Sequence, residues 1–314
     1  MIVPLAPVCR MFRVRVGLAV LLCSAMPAGA FAQTAAPESP TSAQAPEGAV
    51  GGMGDINLYP KRVVIDDRNR VASVGIYNKT GNTGDYDITI ADMVMASDGR
   101  LVTLDAAKAD PAAARMKGAA DMVRWSPHRF TLPGNESQMV RIMARVSPDL
   151  PPGEYRTHFS TIAVPPGDDG LTIDEATNGR ATTSGIGVKI TPRFGISIPV
   201  IIRVGETTLT SGLADLKVLT APTGQRLIRL TITRSGTRSS FGDITITAAG
   251  APKPIALIKG VGVYPEVDAR TVTVAIDPAV DARFVASGAH LTVSYIDDDF
   301  APGQSLAKAD FVVP

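Results

Sequence analysis

Histidine occurs only at His128, His158 and His290, so imidazole chemistry would have to start there. His128 and His158 fall in different strand regions, and neither has a second histidine or a cysteine at ligand spacing, so structural roles are expected. The run Asp297-Asp298-Asp299 hints at calcium but lacks the spaced oxygen donors and the glycine of a calcium loop; a solvated turn is the expectation. Asp168 and Asp169 stand in a loop-like stretch with nothing to desolvate them, and no raised pKa is expected. Gly-rich phosphate loops and Gly-x-Ser-x-Gly elbows do not occur. Both cysteines, Cys9 and Cys23, lie near the N-terminus. The residues thus point away from an enzyme, and no cofactor or metal is expected.

The feature with chemical consequence is a strand. From Ile186 to Ile202 every second residue is apolar: Ile186, Val188, Ile190, Pro192, Phe194, Ile196, Ile198, Val200 and Ile202. Alternation of this kind puts one greasy row on one face of an extended chain. Its length, about 55 Å at 3.3 Å per residue, exceeds that of an ordinary strand. Pro192 and Pro199 differ in parity, so they cannot both point a missing N–H outward in one uninterrupted register; a bend or bulge is expected, with Gly195 its natural place. Such a strand at a sheet edge invites aggregation unless it serves to pair with another chain. The plainer alternative is that its apolar row faces the protein's own core.

Residues 1–32 read as a secretory signal peptide, with Arg10, Arg13 and Arg15 before the apolar stretch Val16 to Cys23 and Ala30-Phe31-Ala32 as the cleavage pattern. Cleavage there would leave 28 basic side chains against 30 acidic ones, a balance that gives no sign of nucleic-acid binding. It would also remove both cysteines, and no later segment reaches eighteen consecutive apolar residues, so no membrane insertion of the mature chain is expected. Residues 33–54, rich in Pro, Ala, Ser and Gly, read as a flexible leader.

Beyond it, short apolar runs separated by turn signals predict an all-β chain of two tandem immunoglobulin-like β-sandwich domains, residues 55–203 and 206–314. Strands are expected at 56–65, 71–77, 86–95, 129–131, 138–145 and 155–164, then the alternating run, and after the junction at 227–233, 244–247, 255–264, 271–276, 291–296 and 311–313. The alanines of the stretch Asp105 to Asp121 would support a helical turn or two, interrupted by Pro111 and Gly118, but the expectation is an elaborated surface connection.

Three segments carry a resemblance: Leu58-Tyr59-Pro60-Lys61-Arg62-Val63-Val64-Ile65; Ser126 to Ile142 with its Leu132-Pro133-Gly134-Asn135 turn and Arg141; and Pro151-Pro152-Gly153-Glu154-Tyr155-Arg156-Thr157-His158-Phe159 followed by Val164-Pro165-Pro166. Asn78 after the strand 71–77 fits as well. Together these resemble the PapD-like periplasmic chaperones of pilus and fimbria assembly. The resemblance implies that the chain folds, caps and delivers pilin-like subunits to an outer-membrane usher by lending them a donor strand. That pairing is a form of strand addition to a sheet edge. The implied donor row is Ile186, Val188, Ile190, Phe194 and Ile196. The resemblance further implies that Arg62 holds the subunit's terminal carboxylate in the cleft between the domains, which suits a planar guanidinium. The place of the family's second cleft cation, a lysine, falls at Pro199, leaving Lys189 and Arg193 as secondary basic residues. The alternative function is a secreted tandem immunoglobulin-like adhesin or coat module.

Overall fold

A computed structural model describes residues 50–51, 56–164 and 193–314. All of these fall in one compact unit, Ser42–Pro314. The first part comprises β1 (Val50–Gly51), β2 (Ile56–Tyr59), β3 (Val63–Ile65), β4 (Val71–Asn78), β5 (Gly84–Ala91), β6 (Met93–Met95), β7 (Leu101–Thr103), the helix α1 (Pro111–Arg115), β8 (Val123–Ser126), β9 (Arg129–Leu132), β10 (Ser137–Ala144), β11 (Gly153–Val164) and β12 (Gly195–Val204). The second comprises β13 (Leu209–Thr220), β14 (Arg226–Gly236), β15 (Ser240–Ala248), β16 (Ala256–Val263), β17 (Ala269–Ala275), β18 (His290–Asp297) and β19 (Ser305–Val312).

The chain forms two immunoglobulin-like sandwiches. In the first, sheet β1-β2-β4-β10-β8 faces sheet β3-β12-β11-β5-β9; in the second, β13-β14-β17 faces β16-β15-β18-β19. The alternation read from the sequence explains the first core. Val74 and Ile76 of β4, Val140 and Ile142 of β10, Phe159 of β11 and Ile196, Ile198, Val200 and Ile202 of β12 are all buried there. Each such side chain contributes about 1.5–3 kcal/mol relative to exposure. Asn78, fully buried at the end of β4, anchors the turns: its Nδ2 donates to the carbonyls of Asn82, Leu132 and Pro133, and its Oδ1 accepts from Thr80.

Three expectations are corrected. The strand expected over 56–65 is two strands, because Pro60 supplies no ladder donor and the chain crosses there from one sheet to the other. The run expected over 86–95 likewise divides at Asp92, which turns aside to accept from the amides of Ala119 and Ala120. Within 105–121, Pro111 opens a helix rather than interrupting one: Asp110 caps it by accepting from the Ala112 amide at 2.8 Å, and proline occupies a first-turn position where no donor is needed. Ala107 and Ala112 of this stretch, with Val94 and Met95 of the β6–β7 hairpin, are buried against the second core. The segment expected to be a surface connection therefore lends apolar area to the second sandwich.

Candidate functional site

β12 lies between β11 and β3, but the two neighbours cover different lengths of it. β11 pairs antiparallel along Gly195–Val204, whereas β3 pairs parallel only at Val200–Ile202. The Ala163 amide donates to the Phe194 carbonyl at 2.9 Å. Alternation along an antiparallel ladder then turns the amides of residues 196 and 198 toward β11 and those of residues 195 and 197 away from it. The opposed Ser160 and Ser197 agree, since their hydroxyls bond at 2.9 Å across a pair that is not backbone-bonded. Pro199 shares this outward parity, so its missing donor costs the ladder nothing. Over Gly195–Pro199 this edge has no strand partner among the described residues. Gly195 is the first residue of β12, not a bulge within it.

The expected donor row divides accordingly. Ile186, Val188, Ile190 and Lys189, like Pro192, Asp168 and Asp169, lie outside the described residues. Phe194 is 49% exposed. Ile196 is only 7% exposed and packs in the first core with Phe159 and Ile198, because its parity is that of the core-facing row. That is a correction to its place among residues offered to a partner. Arg193 is a correction of the same kind. It is exposed and pairs with Asp87 of β5 at 3.7 Å, about 23 Å along the strand from Val200, whose partner Val63 adjoins Arg62.

Arg62, just before β3, reaches the junction of the two sandwiches, where its expected partner, a carboxylate, comes from the chain itself. Both Nη atoms donate to Asp298 Oδ1 at 2.8 Å, and Asp299 Oδ1 lies 3.6 Å from Nη1. The guanidinium is buried and sits 4.2 Å over the Phe241 ring. Lys61 Nζ takes the other oxygen, Asp298 Oδ2. Beside this pair, Arg203 at the end of β12 meets Asp299 and stands 3.5 Å from Glu154, whose carboxylate accepts from the Ser239 amide and hydroxyl. Asp297 Oδ1 pins the turn by accepting from the amides of Asp299 and Phe300. The solvated turn expected at Asp297-Asp298-Asp299 is thus a largely buried ion-pair hub, because arginines far away in sequence fold onto it. A cavity of about 590 Å³ borders it, lined by Arg203, Asp299 and Phe300 among others.

A row that sequence reasoning passed over adjoins this hub. On β11 the residues Tyr155, Thr157 and Phe159 alternate with Glu154, Arg156 and His158, and both sets are buried. The first set faces its own sandwich, the second the other one. Arg156 donates to Glu266 at 2.5 and 3.1 Å and to the Met93 carbonyl at 3.0 Å, and it stacks 3.5 Å over Tyr264. His158 is fully buried with Nε2 3.5 Å from the Tyr264 hydroxyl. Burial, and then the nearby Arg156 charge, push its pKa down to about 3, while burial pushes Tyr264 up to about 12. A histidine depressed in the folded state stabilises fully above its unfolded pKa of about 6.5, and that stability is lost as pH falls toward 3. Between pH 7 and 5 the wild-type chain is expected to lose roughly 2 kcal/mol more than His158→Gln. Urea titrations at the two pH values check this, and parallel losses would contradict it.

Among the described residues no cluster of His, Cys, Asp and Glu suits a metal ion, and no helix is long and apolar enough to cross a membrane. No protein-family model and no curated protein matches the chain. Among solved structures it is similar to the YadV chaperone, at 15% identity over 83% of this chain and 100% of that one with a TM-score of 0.42. It is also similar to the E. coli chaperone DraB (14%, 82% and 96%, TM-score 0.40). A third is the Salmonella enterica SafA pilin in complex with the SafB chaperone (15%, 84% and 99%, TM-score 0.39). Likeness at this level carries no weight for function, which rests on the chain's own strand edge and junction.

Proposed function

We propose that this chain is a periplasmic chaperone for pilin-like subunits, which it folds and caps by strand addition and delivers to an outer-membrane usher. The observation that carries this reading is the edge of β12 over Gly195–Pro199, which has no strand partner among the described residues while Ile196 and Ile198 fix the strand from behind. An edge immobilised in advance loses little conformational entropy on pairing, so main-chain bonds and inserted side chains contribute more fully to affinity. The alternating sequence from Ile186 leads directly into that edge. It supplies Ile186, Val188 and Ile190 as the side chains that enter the subunit, with Phe194 the exposed member nearest the described strand. No nucleotide is required for release, since a competing strand that packs better displaces the first. Arg62 at the junction is the candidate seat for the subunit's terminal carboxylate. The signal-like N-terminus supports export to the periplasm.

The test is recovery of a co-expressed pilin-like subunit from periplasmic extract. Val188→Asp combined with Ile190→Asp is expected to abolish recovery while the chaperone itself stays folded and abundant, because two carboxylates would be buried in an apolar groove. Undiminished recovery would refute the proposal.

A further inference from the structure

Lys61 and Arg62 form a clamp whose chemistry is displayed by its occupant. Two adjacent cations, one on each oxygen, hold a single carboxylate, and that carboxylate is Asp298 of the chain itself. Arg62 Nη1 also lies 3.3 Å from the Asp298 carbonyl. The clamp is stiff on the arginine side, where the guanidinium rests on Phe241, and open on the lysine side, where Lys61 is about two-fifths exposed. Asp298 stands on a turn between β18 and β19 that the second sandwich holds through Asp297 and through the Asp298 amide, which donates to the Phe241 carbonyl at 3.2 Å. The resemblance implies a second cleft cation whose place falls at Pro199, with Lys189 and Arg193 as secondary basic residues; the cation that shares Asp298 with Arg62 is instead Lys61.

Resting on the carboxylate seat proposed for Arg62, we infer that Asp298 is a resident carboxylate that fills this clamp, so that an incoming chain terminus must displace it to be recognised. A tethered group competes as though present at about millimolar concentration or above. A free terminus therefore gains little from the clamp while Asp298 is in place. Capture then depends on strand pairing, and carboxylate recognition is conditional on moving the Asp298–Phe300 turn. A cation on each oxygen, Arg62 on one and Lys61 on the other, makes the vacated clamp selective for a carboxylate over an amide.

The experiment uses an octapeptide of alternating valine and threonine with fluorescein on its N-terminal amine, prepared as the free acid and as the C-terminal amide. Binding to the full chain is read by anisotropy. Wild type is expected to bind both forms within about threefold. Asp298→Asn, which keeps an oxygen for Arg62 and so protects the fold, is expected to bind the acid about tenfold more tightly than the amide. Adding Arg62→Gln is expected to erase that preference. Equal affinity, or no binding of either form, by folded Asp298→Asn overturns the inference, as does a tenfold acid preference already present in wild type. Subunit recovery with the Val188→Asp, Ile190→Asp pair is scored separately, so failure of strand capture is distinguishable from failure of the clamp.

Discussion

Replacing Glu266 by alanine is expected to destabilise the protein by about 3–5 kcal/mol, the cost of leaving a buried charge without its partner. The Arg156 and Glu266 side chains are 3% and 1% exposed. Arg156 would keep only the Met93 carbonyl and the Tyr264 ring, while the Met95 amide, which donates to Glu266 at 2.9 Å, would lose its acceptor. Arg156 belongs to β11 of the first sandwich, and Glu266 follows β16 of the second. The loss therefore falls on a contact between the two sandwiches. Urea denaturation is expected to show a lower midpoint and a separation of one transition into two. Changing both partners to apolar residues, Arg156→Leu with Glu266→Met, is expected to recover most of the loss, since a buried ion pair stabilises little compared with well-packed hydrophobic side chains. A Glu266→Ala protein within 1 kcal/mol of wild type would mean that water reaches this pair.

The same contact shows where sequence reading succeeds and where it stops. Strands with one buried face announce themselves by alternation, as in β4, β10, β14 and β18, because the pattern is local and has a period of two. β11 carries a clean alternation as well, yet the burial of Glu154, Arg156 and His158 is not visible in it. Only the presence of a second sandwich against that face turns them inward, and a polar row at every second position of a strand gives no sign of what covers it. Asp298 misleads for the same reason: its composition is that of an exposed turn, and the arginine that buries it lies 236 residues away. β13 was invisible for a different cause. Its register shifts between Ala214 and Lys217 and Asp215 has φ of 53°, so the apolar positions change face partway along. Arg62 was located from the motif around it, but its occupant was not, because that depends on a turn in the other sandwich.

If β12 is kept unpaired for a partner, the Ser197 amide points to solvent in the free chain and donates to a subunit strand in the complex. Its hydrogen exchange is then governed by pairing alone, since neighbouring amides of β12 that face β11 are held in either state. Exchange at Ser197 in the free protein is expected to approach that of an open peptide, and to slow by about a thousandfold once a pilin-like subunit is bound, while the Ile198 amide is protected throughout. A Ser197 amide as protected as Ile198 in the free chain would mean that the edge is already closed from within, and would contradict the account.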